Sequence, residues 1–130
     1  MAYDRSTFGF EGLDVHQKAS VFRNGVYDLV RALPKEETYA LGQQMRRAAV
    51  SVTNNMAEGY GRFNWQETMQ FFRHARASVA ELVDDLNVCR DQRYADQQLL
   101  DELRRQADDV LRLVNGYIRY LKNKKAEENS

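Results

Sequence analysis

The sequence predicts an all-α protein, an antiparallel up-down-up-down four-helix bundle, and three observations carry that prediction. Hydrophobic residues recur at spacings of three and four along four successive stretches. Pro34 is the single proline, there are only 7 glycines in 130 residues, and the helix formers Ala, Leu, Arg, Glu and Gln dominate. The stretches are joined by short connections, which force consecutive helices to run antiparallel. A chain of this length fits one domain and can bury its core without disulfides or metal staples.

Residues 1–12 include Phe8, Gly9, Phe10 and Gly12 without periodicity and read as an extended lead-in to a single bundle domain over 13–122. From Leu13 onward, Val15, Ala19, Phe22, Val26, Leu29, Val30 and Leu33 fall on one side of a first helix. Pro34 disfavours helical geometry at the residue before it and suits the first turn of a new helix. The second helix is then expected over about 36–58, with Met45, Ala49, Val52 and Met56 as its buried seam and Gly59 and Gly61 ending it. Asn64 and Glu67 form a capping-box-like start for a third helix whose apolar side is Phe71, Ala75, Ser78, Val79, Leu82, Leu86 and Cys89. The polar segment 91–96 breaks the period. A fourth helix comes next with the stripe Leu99, Leu103, Ala107, Val110, Val114, Tyr117, Ile118 and Leu121, and frays into 123–130, a tail expected to be mobile.

Several function classes fall away on composition. The 19 basic and 19 acidic residues are spread evenly, and no quarter of the chain departs from balance by more than one charge. Binding driven by counterion release normally shows a large positive excess, so strong nonspecific nucleic-acid binding is disfavoured unless folding gathers the arginines. No run approaches the ~18 apolar residues of a membrane span, and no secretory leader pattern opens the chain. Cys89 is the single cysteine, so no intrachain disulfide forms, and a cytoplasmic location is expected.

The chemistry of sites is equally bare. A di-iron bundle wants Glu-x-x-His on two helices, but Leu13 and Phe71 stand three residues before His16 and His74. Glu81, Asp84 and Asp85 form one acidic cluster without a second facing it, the usual pattern of a solvated face rather than a magnesium site. There is no phosphate-cradling glycine loop and no Ser/His/Asp grouping. No enzyme activity, catalytic residue, metal or cofactor is expected.

The stretch 44–62 is where polar residues look placed rather than scattered. On a helical wheel Gln44, Arg47, Ser51, Asn54, Asn55, Glu58 and Arg62 share an arc of about 100°, opposite the apolar seam and therefore facing away from the bundle's own core. Arg46, Val50, Thr53 and Ala57 form a third sector, small and half apolar. Asn, Ser and Thr compete with the backbone for hydrogen bonds, so Ser51, Thr53, Asn54 and Asn55 mid-helix cost stability with no packing return visible from the sequence. Such broken local rules often mark an interface.

The run Arg46-Arg47-Ala48-Ala49-Val50-Ser51, followed by Asn55-Met56-Ala57-Glu58-Gly59 and Gly61-Arg62, resembles the signature of the bacterial four-helix bundle proteins encoded in intervening sequences of 23S rRNA genes. Leu13 to Ala19, and Phe71, Phe72, Ala75, Ser78, Glu81 and Leu82, resemble that family's first and third helices. The resemblance implies a bundle that assembles into a ring, typically a homopentamer. It also implies kinship with the accessory variability determinants of diversity-generating retroelements, which bind nucleic acid and a reverse transcriptase through a basic surface. Thr53 stands where the family often has proline, so a straighter second helix is expected.

Two functions are therefore weighed. In the first, the protein is a homo-oligomeric scaffold whose subunits meet through Arg47, Val50, Ser51, Thr53, Asn54, Asn55, Ala57 and Glu58, with Arg47 pairing a carboxylate such as Glu58 across the contact. In the second, it binds RNA or DNA, with a reverse transcriptase as a partner. Arg46, Arg62, Arg119, Lys122, Lys124 and Lys125 would then supply phosphate contacts, and Tyr60 and Trp65 stacking surfaces.

Overall fold

The computed structural model describes residues 8–129. Four α-helices occupy them: α1 Asp14–Arg31, α2 Leu41–Gly59, α3 Trp65–Asp91 and α4 Gln97–Glu128, with 3-10 turns at Gly9–Gly12 and Lys35–Glu37. Residues 1–7 of the expected lead-in, and Ser130 of the expected tail, lie outside the described residues. Each helix packs against its neighbours in sequence, α1 closes the bundle against α4, and the diagonal pairs have no Cα–Cα approach within 8 Å.

Side-chain ties fix the directions. Between α2 and α3 they join Gln44 to Asp85, Ser51 to Ser78 and Thr68 to the Gly59 carbonyl, so rising numbers on one helix meet falling numbers on the other. Between α3 and α4, Gln66 meets Lys125, Arg76 meets Asn115 and Asn87 meets Arg104 in the same descending order. Both pairs are antiparallel, as short loops require.

All seven apolar positions predicted for α1 are buried, and the α2 seam of Met45, Ala49, Val52 and Met56 is completely enclosed. Asn64 caps α3 by accepting the Glu67 amide at 2.7 Å while its own amide reaches the Glu67 carboxylate at 3.3 Å. Gly61, one residue beyond the extended Tyr60 that ends α2, takes a left-handed φ of +84°, where a side chain would be strained.

The fold departs from the predicted pattern at four places. The chain before α2 is not continuous helix: after the turn at Lys35–Glu37, Ala40 leaves helical geometry and α2 begins only at Leu41. Glu37 accepts the Tyr94 hydroxyl at 2.7 Å and the Thr38 carbonyl accepts from Arg46 at 3.2 Å, which anchor the non-helical segment from two sides. On α3, Phe72 is fully enclosed and Phe71 only half-buried, and on α4 Leu100 rather than Leu99 enters the core. In both places adjacent residues are chemically equivalent, and packing chooses the register. Finally, α4 runs helically to Glu128 through the segment expected to fray. Lys124 pairs with Glu127 and Lys125 donates to Gln66 at 2.8 Å, which supports those turns. No helix among the described residues is long and apolar enough to cross a membrane.

Candidate functional site

The outer side of α2 is concave. A groove of about 890 Å³ runs along it, walled by Tyr27 from α1 and by Tyr39 from the segment before α2. Of the eight residues predicted to meet another subunit, seven line it: Arg47, Val50, Ser51, Asn54, Asn55, Ala57 and Glu58. These seven therefore share one face of the helix. Tyr27 and Tyr39 were missed, because one sits among the solvent-facing residues of α1 and the other lies in a segment whose sequence reads as helix. Tyr39 is 85% exposed, so its ring is available to whatever enters the groove.

Thr53 does not belong to this surface. It is 3% exposed, its hydroxyl accepts from Arg23 at 3.1 Å and donates to the Val50 carbonyl at 3.3 Å, and it ties α2 to α1 within the chain. The polar arc also faces outward only in part. Gln44 donates to Asp85 at 2.7 Å, and Ser51 shares a hydrogen bond of 2.9 Å with Ser78. Asn55 donates to the Ser51 carbonyl at 2.8 Å and to its hydroxyl at 2.9 Å. Gln44 and Ser51 thus have a packing return that sequence spacing did not reveal: they tie α2 to α3, and Asn55 braces Ser51 from one turn along the same helix.

The remaining outward set is Arg47, Asn54, Ala57 and Glu58, with Val50 between them. Glu58 is already engaged, accepting at 3.0 Å from Arg62 in the turn that follows the helix. Arg46 and Arg47 have no carboxylate within ion-pair distance among the described residues. Arg46 is held by the Thr38 carbonyl. Arg47, with the Gln43 amide oxygen assigned to the side facing it, donates to that oxygen at 3.0 Å. The groove is therefore cationic at its N-terminal end and small and neutral along its middle.

The acidic cluster on α3 is divided by burial. Glu81 and Asp84 are exposed, whereas Asp85 is 3% exposed and one of its carboxylate oxygens has no hydrogen-bond partner among the described residues. Burial, with the neighbouring Glu81 and Asp84 charges, raises the Asp85 pKa to about 6 against the single opposing bond from Gln44. Among the described residues no group of three His, Cys, Asp or Glu side chains is placed to hold a metal ion. Cys89 is buried, and its thiol is pushed up to about 11 by that burial, which leaves it unreactive.

The residues considered for nucleic acid are split. Arg46 sits at the start of α2, while Tyr60, Arg62, Trp65, Lys124 and Lys125 gather where the α2–α3 turn meets the end of α4, with Arg119 and Lys122 exposed nearby on α4. Several are committed within the chain. Arg62 is held by Glu58 and lies 4.7 Å above the Phe71 ring, Lys124 lies 5.6 Å from the Tyr120 ring, and Trp65 is half-buried against the core. Phe63 stands fully exposed between them.

No curated protein matches the chain in sequence. The family model of the 23S rRNA-intervening sequence protein matches residues 11–116, from the turn before α1 to the middle of α4, and so includes the whole of the grooved helix. The chain, with its four-helix architecture, belongs to that family.

Proposed function

We propose that the protein is a cytoplasmic, non-enzymatic, homo-oligomeric scaffold whose subunits meet across the outer side of α2, in a ring with the pentamer of the family resemblance as its expected size. The observation that carries this is the groove of about 890 Å³ itself. It follows a helix face whose middle is small enough for another helix to approach closely and whose Arg46 and Arg47 have no carboxylate within ion-pair distance among the described residues. The balanced charge agrees with a surface that is satisfied by a protein rather than by a polyanion. Light scattering on the purified protein at tens of micromolar tests it: a particle several subunits in mass is expected, and a monodisperse monomer refutes it.

A second reading, nucleic-acid binding, draws on the gathering of Tyr60, Arg62, Lys124 and Lys125 at one end of the bundle beside the exposed Phe63 ring. Ring assembly would set several such ends side by side, and avidity would compensate for the neutral subunit. Arg62 is already neutralised by Glu58 and Glu67, which favours the scaffold. Titration with structured RNA and with duplex DNA at low and moderate salt decides this reading; no binding at about 50 mM salt removes it.

A further inference from the structure

A closed ring built from one kind of contact needs two different surfaces on each subunit, one fitting the other. The α2 groove supplies the first. The cross-helix ties locate a match for it on α3. Gln44 lies level with Asp85 and Ser51 with Ser78, so each step along α2 is one step back along α3. By that register Arg46 and Arg47 stand at the height of Val83 and Leu82, between Glu81 and Asp84.

Ala77, Ala80, Glu81 and Asp84 are all exposed and recur at helical spacing, so they form a single outer ridge on α3. Glu81 and Asp84 have no cationic partner within ion-pair distance among the described residues, although Asp84 accepts a long bond from Asn87. The ridge is acidic at the level where the groove is basic. It is small, at Ala77 and Ala80, where the groove is lined by Val50 and Asn54.

We infer that the α2 groove of one subunit receives the outer ridge of α3 from a second copy of this chain, with Arg46 and Arg47 facing Glu81 and Asp84. This rests on the scaffold reading above and names the partner surface. The common height of the two charged rows sets the symmetry. Copies related by rotation about an axis along the bundle keep every residue at its own level, so these rows meet with no sliding between subunits. A contact that demanded an axial shift would propagate into an open filament instead of closing. Opposite charges at the contact also exclude groove-to-groove and ridge-to-ridge pairings, which set like charges together.

Charge reversal tests this pairing. Arg46→Glu with Arg47→Glu, and separately Glu81→Lys with Asp84→Lys, are each expected to leave monomers at concentrations where the native protein is assembled. All four substitutions in one chain are expected to restore the native mass, and mixing the two double variants is expected to give mixed assemblies in which they alternate, open or with an even number of subunits. Recovery of that kind is not something a misfolded variant produces, and circular dichroism of each double variant provides the direct check. Native-size assembly by the Glu81/Asp84 variant overturns the ridge assignment. In that event, loss of assembly in the Arg46/Arg47 variant leaves the α2 interface standing. A monomeric native protein removes both.

Discussion

The two sides of α2 interleave along the same nineteen residues of Leu41–Gly59 and obey different rules. On the inner side, Met45, Ala49, Val52 and Met56 are enclosed by the chain's own helices, and spacing alone identifies them. On the outer side, Arg47, Val50, Asn54 and Ala57 line an open groove rather than the core. Between them runs a polar seam in which Gln44 and Ser51 bond across to α3 and Asn55 braces Ser51 from within α2. The amphipathicity of α2 thus divides into three sectors rather than two: a buried seam, a polar strip beside α3 and an exposed face along the groove.

The strongest way to break the inner side is Met56→Ala. It removes a fully buried side chain and is expected to cost about 2–5 kcal/mol, a large part of the stability of a domain this size, read as a lower urea midpoint. Gly59→Ala ranks next. A Cβ there would stand 2.5 Å from the Phe71 Cβ, closer than two carbons can approach, and the enforced shift is expected to cost about 1–3 kcal/mol despite alanine's better helix propensity. Equal stability of this variant would mean that the α2–α3 crossing is looser than the contact requires.

Asp85 probes the seam between the two sides. Its pKa is raised from 3.8 to about 6, so folding favours the protonated form. The stabilisation is complete below about pH 4 and is lost as pH rises through about 6, a change on the order of 1–3 kcal/mol. Urea melts at several pH values are expected to show this decline in the native protein and a flatter profile for Asp85→Asn, which retains an oxygen for Gln44. A native profile without the decline would place the charged carboxylate in water.

The smallest effect belongs to the outer side. Asn54→Ala changes an exposed side chain on the groove and is expected to move subunit stability by less than about 0.5 kcal/mol while changing the assembled mass or its concentration dependence. If it destabilised the subunit as much as Gly59→Ala, the distinction between the two sides would collapse.

Much of this was legible in the sequence because it is local. The α1 stripe, the α2 seam, the Asn64–Glu67 cap and the turn glycine at position 61 all depend on residues within a few positions of one another. The groove-lining face was legible for the same reason. The features that escaped depend on partners distant in sequence. Thr53 reads as a small surface residue until Arg23 is brought against it. Asp85 looks like a third member of a solvated cluster until Gln44, 41 residues away, reaches it. The break before α2 carries no glycine or proline between Pro34 and Leu41; contacts from Tyr94 and Arg46 hold it.

The far end of α4 keeps a different clock from the rest of the molecule. Leu121 is its last buried residue, yet the helix continues to Glu128. Amides on the buried turns up to Leu121 are expected to exchange mainly when the bundle itself opens, whereas those beyond it are held by their own hydrogen-bond ladder, the Lys124–Glu127 pair and the Lys125–Gln66 tether. One unbroken helix therefore spans the full range of protection, from global unfolding to single-turn fraying, and Leu121 marks where the first gives way to the second.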